Sequence, residues 1–83
     1  MNTKDSVIYL VFARTHKQFY DYYKIMDPQD KFVFVNDIED VVGRNPVDCV
    51  ATVLCSVGSL DTKKFDALVY CEQREFPIVQ LEN

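Results

Sequence analysis

Residues 47–58 narrow the choice of fold more than any other stretch of the chain. Valines and a threonine dominate them, and apolar side chains occupy both alternating sets. Val47, Cys49, Ala51, Val53, Cys55 and Val57 form one set, and Val50 and Leu54 flank the small Thr52 in the other. A strand that is apolar on both sides must be covered on both sides, which is the situation of an inner strand in a parallel α/β sheet. A buried helix also gives a continuous apolar run, but the β-branched content and the closing Gly58 favour a strand.

The rest of the chain supplies partners for that strand. Residues 7–13 are a second run that is apolar on both faces, so they too read as an inner strand. Thr15 follows, with Gln18 three residues later, the spacing of a capping box. Phe19, Tyr22, Tyr23 and Met26 then recur at i, i+3, i+4 and i+7 and predict a helix over 15–26, ended by Asp27-Pro28. Residues 32–35 form a short apolar strand. Asp37 is placed to cap a brief helix over 38–42, with Gly43 as its left-handed terminator, and Asn45-Pro46 turns the chain into the central strand. Asp61 caps a third helix whose apolar stripe reads Phe65, Leu68 and Val69. Pro77 confines the last strand, 76–81, to a sheet edge or to a strand start.

Strands that alternate with helices predict parallel pairing through right-handed crossovers, in one α/β domain spanning 1–83. With the two most apolar strands innermost, the order becomes 2-1-3-4. The expected fold is a small four-stranded parallel sheet, flavodoxin- or Rossmann-like, with three helices.

Charge and cysteine usage bound the function classes. Nine Lys and Arg against thirteen Asp and Glu leave a formal net charge of −4, which counts against nucleic acid or an anionic membrane as the main partner. The first apolar run lacks the small-residue cleavage pattern of a secretory signal. The three cysteines, an odd number without paired spacing, read as the reduced thiols of a cytoplasmic protein. Cys49 and Cys55 lie roughly 20 Å apart along one strand, too far to bridge. With a single histidine and no C-x-x-C pair, neither a metal site nor a cofactor is predicted.

In a 2-1-3-4 sheet the crevice where ligands bind lies at the carboxyl ends of strands 1 and 3. Its expected walls are Arg14, Thr15, His16 and Lys17 on one side and Ser56, Gly58 and Ser59 on the other, with Lys63 near the start of the third helix. Cations at helix N-termini oppose the macrodipole, so stability alone would not select them there, and a small anionic ligand is a motivated expectation. The glycine-rich nucleotide loops are missing, since Gly43 and Gly58 are the only glycines. Asp37 therefore reads as a helix cap rather than a ribose ligand. His16 lacks an orienting carboxylate and a nucleophile at suitable spacing, so no catalytic residue is assigned.

Tyr20 and Tyr70 fall off the apolar stripes of their helices and are candidate interface residues. A sheet this small cannot enclose so much aromatic and aliphatic surface, and uncovered apolar patches mark interfaces. The expected function is that of a small non-enzymatic protein-binding module, a homodimer, with a nucleotide- or phosphate-binding protein, even an enzyme, as the alternative. The run of residues 7–13, the aromatic helix, the segment 32–37, Val41-Val42-Gly43 and Val57-Gly58 also resemble small phage-encoded α/β proteins of uncharacterised function. That resemblance implies a phage accessory, host-takeover or anti-defence protein acting in the bacterial cytoplasm.

Overall fold

A computed structural model describes residues 7–25 and 31–81. Four strands form one parallel sheet in the order β2-β1-β3-β4, as the alternation and the apolar ranking predict. The strands are β1 (Ile8–Phe12), β2 (Lys31–Phe34), β3 (Cys49–Val53) and β4 (Ile78–Gln80), and two helices, α1 (His16–Tyr23) and α2 (Thr62–Gln73), connect them.

The register divides the sheet into two unlike faces. Leu10 lies beside Val33 and Ala51, and Phe12 beside Val53, on the face that α2 covers. Ala67, Leu68 and Cys71 of α2 pack there with Val35, Val41, Cys49, Leu60 and Phe76 into one hydrophobic core. Tyr9 stands beside Phe32 and Val11 beside Phe34 on the other face, under α1. None of the α1 residues is fully buried. That layer is held by aromatic contacts: Tyr9 stacks on Phe32 at 5.0 Å, Phe19 stacks on Phe34 at 5.1 Å, and Tyr22 and Tyr23 meet Phe32 edge-on.

Three sequence expectations need correction. The first concerns residues 38–42, which form not the expected brief second helix but a single 3₁₀ turn, Ile38–Asp40. Asp37 accepts from the Glu39 N–H while the Asp40 carboxylate accepts from the N–H groups of Asn36 and Asp37. Gly43, at φ +87°, then takes the left-handed conformation within a turn in which the Arg44 N–H donates to the Val41 carbonyl at 3.2 Å. The second correction shortens the central strand. Val47 is 86% exposed, because the Asn45 side chain accepts from the Val47 N–H and holds residues 46–48 in a turn. The other end winds into a second 3₁₀ turn, Val57–Ser59.

The third correction rotates α2. Phe65 is exposed and Lys64 is buried in its place, with Ala67 and Cys71 supplying the small surfaces that let the helix approach the sheet. Helix α1 begins as expected, with Thr15 as its N-cap, but its helical turns end at Tyr23. The expected stop at Asp27-Pro28 lies outside the described residues.

The C-terminus of α2 sets the course of β4. Glu75 adopts φ +64°, the Phe76 N–H donates to the Cys71 carbonyl at 2.9 Å, and the Glu75 N–H donates to the Glu72 carbonyl at 3.1 Å. This is a Schellman closure with glutamate in the position that glycine prefers. It buries Phe76 and delivers Pro77 to the sheet, where its carbonyl accepts from the Ala51 N–H.

Candidate functional site

The carboxyl ends of β1 and β3 meet at the switch point, and side chains of the protein itself span them. From the α1 side, Gln18 accepts from the Arg14 N–H at 2.8 Å and donates to the Leu54 carbonyl at 3.2 Å, joining the two strand ends. Its backbone N–H meanwhile donates to the Thr15 hydroxyl oxygen at 3.1 Å. From the α2 side, the Lys64 ammonium donates to the Ala13 carbonyl at 2.9 Å and reaches the Arg14 carbonyl at 3.4 Å. It also lies 4.6 Å from the centre of the Phe34 ring. Lys64 is only 6% exposed. A cation in this position is held by two carbonyl dipoles and an aromatic face rather than by a carboxylate.

The residues expected to wall an anion site are distributed around this closure. Thr15 is spent as the helix cap. His16 is exposed and packs edge-on against Phe34 at 5.5 Å. Lys17 points to solvent and pairs with Asp21 at 3.0 Å, and that hydrogen bond holds the Asp21 carboxyl below its ordinary range. Ser56, Gly58 and Ser59 lie exposed in the 3₁₀ turn after β3, where the Ser59 N–H donates back to the Ser56 carbonyl at 2.8 Å. Lys63 stands apart from them. With Asp37, Ile38, Glu39 and Asp66 it lines an open cleft of about 220 Å³ between α2 and the first 3₁₀ turn, and three of those five residues are acidic.

Sequence reasoning missed the parts played by Gln18 and Lys64. Gln18 was legible only as half of a capping box. Lys64 had one signal, a lysine in the first turn of a helix, where the macrodipole disfavours it. Its long stem lets the ammonium leave the helix terminus and reach the strand carbonyls instead.

No family model, curated protein or solved structure matches the chain. Among the described residues no cluster of His, Cys, Asp and Glu is placed to hold a metal ion, and no helix is long and apolar enough to cross a membrane. All three cysteines are buried and none is in a disulfide. Burial pushes the Cys71 thiol up to about 11, with Cys49 adding to the shift, and burial raises Cys49 as well.

Exposed apolar side chains occur at Tyr20, Tyr23 and Ile25, at Ile38, Val42 and Val47, and beside β4. Ile78, Val79 and Leu81 are 41%, 44% and 45% exposed. Val79 lies beside Thr52 on the α1 face, while Ile78 lies beside Ala51 on the α2 face. Helix α2 adds Phe65, on the flank turned away from Lys63 and its cleft. The two tyrosines expected at an interface differ. Tyr20 is exposed beside Lys24, whereas Tyr70 is half-buried against the core under the Arg74 guanidinium.

Proposed function

We infer that this chain is a small non-enzymatic protein-binding module that works as a homodimer and makes its contacts through the β4 flank. The observation that carries the reading is the set of exposed apolar side chains around β4, Ile78 and Val79 on its two faces, Leu81 just after it and Phe65 on α2, at a strand whose outer edge pairs with no other described strand. Monomeric proteins shield such edges with lysines, inward charges or bulges, and β4 carries no charged residue.

A small anionic ligand at the switch point is less well supported. It would have to displace Gln18 from Arg14 and Leu54 and draw Lys64 off two carbonyls. The order 2-1-3-4 is shared with flavodoxin-like sheets, and kinship with them is part of this proposal only as strand order. The resemblance to phage-encoded proteins, if it reflects descent, would add a host protein of the bacterial cytoplasm as a second partner.

Light scattering across the micromolar range tests the reading, comparing the parent chain with the double variant Ile78→Ser, Leu81→Ser. The parent should have the mass of a dimer and the variant that of a monomer with a similar melting temperature. A parent that remains monomeric throughout the range overturns the proposal.

A further inference from the structure

We propose that the carboxyl end of β1 is a built primary-ammonium site, made by the Ala13 and Arg14 carbonyls and the Phe34 ring and filled by the protein's own Lys64.

The burial of Lys64 calls for such a site. A lysine is almost never buried unless its charge is satisfied, because an isolated ammonium costs far more to desolvate than its aliphatic stem returns. Lys64 is buried, yet the ion pairs among the described residues join Lys17 and Lys24 to Asp21 and leave Lys64 out. A carboxylate stands one turn earlier at Asp61. It accepts from the Lys64 backbone N–H at 2.9 Å, while the ammonium goes to the end of β1 instead. The neighbouring Lys63 takes the other course and lines the open cleft with Asp37, Glu39 and Asp66. The Lys64 charge therefore rests on dipoles and a ring in preference to a carboxylate.

The three donors of the ammonium have three acceptors. Two are the Ala13 carbonyl at 2.9 Å and the Arg14 carbonyl at 3.4 Å. The third is the Phe34 ring, whose centre lies 4.6 Å away, inside the roughly 6 Å reach of a cation–π contact. Ala13 is fully buried, so bulk water does not compete for its oxygen. The ring is held in place by Phe19, stacked on it at 5.1 Å, and by His16, edge-on at 5.5 Å. This arrangement selects a primary ammonium on a narrow aliphatic stem. A carboxylate or phosphate would meet two carbonyl oxygens, and an alcohol brings one donor and no charge. Tethering to α2 gives Lys64 a high effective concentration, so it keeps free amines out and closes the crevice from within.

Chemical rescue tests the site. Lys64→Ala empties it, and propylammonium supplies the carbons beyond Cβ together with the ammonium that the substitution deletes. The variant should melt about 4–8 °C below the parent. Titrated propylammonium chloride should raise its melting temperature along a saturating curve, and matched sodium chloride or n-propanol should not. The parent, whose site is filled, should respond no more than it does to sodium chloride. An equal response of parent and variant, the same gain from n-propanol, or a folded variant that gains nothing overturns the proposal. If Lys64→Ala is unfolded throughout, the parent decides by heteronuclear NMR. Its Lys64 ammonium should give a resolved signal that exchanges slowly with water and cross-relaxes with the Phe34 ring, and a signal like that of a free lysine overturns the proposal.

Discussion

At the β2 edge of the sheet, Phe32 and Phe34 lie under Phe19, Tyr22 and Tyr23, and Phe34 also receives His16 and the Lys64 ammonium. At the β4 edge, Val79 lies on the α1 face and Ile78 on the α2 face, and both, with Leu81, are exposed. Both are outer strands of one parallel sheet, and both are rich in large apolar side chains. The difference follows from the crossovers. Helix α1 leads from β1 to β2 and packs on β2, whereas α2 leads from β3 to β4 and packs on the other face; on the α1 side Thr52 of β3 is still buried while Val79 of β4 is exposed. A strand edge therefore takes its exposure from where the neighbouring helix lands, and not from its own composition.

Substitutions at the two edges should break the comparison if it is wrong, and the largest effect is expected at β2. Phe34→Ala removes a ring that holds α1 and the buried Lys64 together, and should cost about 3 kcal/mol. Ile78→Ala at the open edge should change monomer stability by less than about 0.5 kcal/mol. Urea denaturation of the two variants, with Ile78→Ala measured at a dilution where the chain is monomeric, gives both numbers. Equal losses would mean that β4 is as enclosed as β2.

A smaller effect is expected from alkali, and it acts on the α2 layer behind β4. Cys71 of α2 is buried, and its thiol is raised from 9.0 to about 11. The unfolded chain therefore ionises first, and between those two values it binds fewer protons than the folded chain. Stability should be level below pH 9 and fall as pH rises toward 11, by about 2 kcal/mol in total. Cys71→Ala should flatten that slope in chemical denaturation at pH 8 and pH 10.5, at the cost of a lower stability at both.

The smallest effect should sharpen the comparison by relieving strain in the approach to β4 without touching the strand. Glu75 holds a left-handed backbone at φ +64°, where a side chain is strained. Glu75→Gly relieves that strain within the same Schellman closure and should raise stability by up to about 1 kcal/mol. Thermal melts read this directly, and the dimer mass should not change. A loss of stability would mean that the Glu75 side chain contributes more than its strained backbone costs.

The strand order, the parallel pairing and the inner position of β1 and β3 were legible because apolarity on both faces leaves an inner strand few alternatives. The caps at Thr15, Asp37 and Asp61 were legible for a similar reason, since each depends on atoms within three residues. Pro77 likewise limited β4 to a sheet edge or a strand start from one residue type. Only the tertiary structure decided the rest. The burial of Lys64 depends on carbonyls about fifty residues away, and that of Phe65 or its neighbours on how small Ala67 and Cys71 let α2 settle. The closed switch point depends on Gln18 reaching Leu54 across the sheet. Which outer strand stays open was settled by the landing of two crossovers, because helical periodicity shows that a helix has an apolar face but not which strands that face will cover.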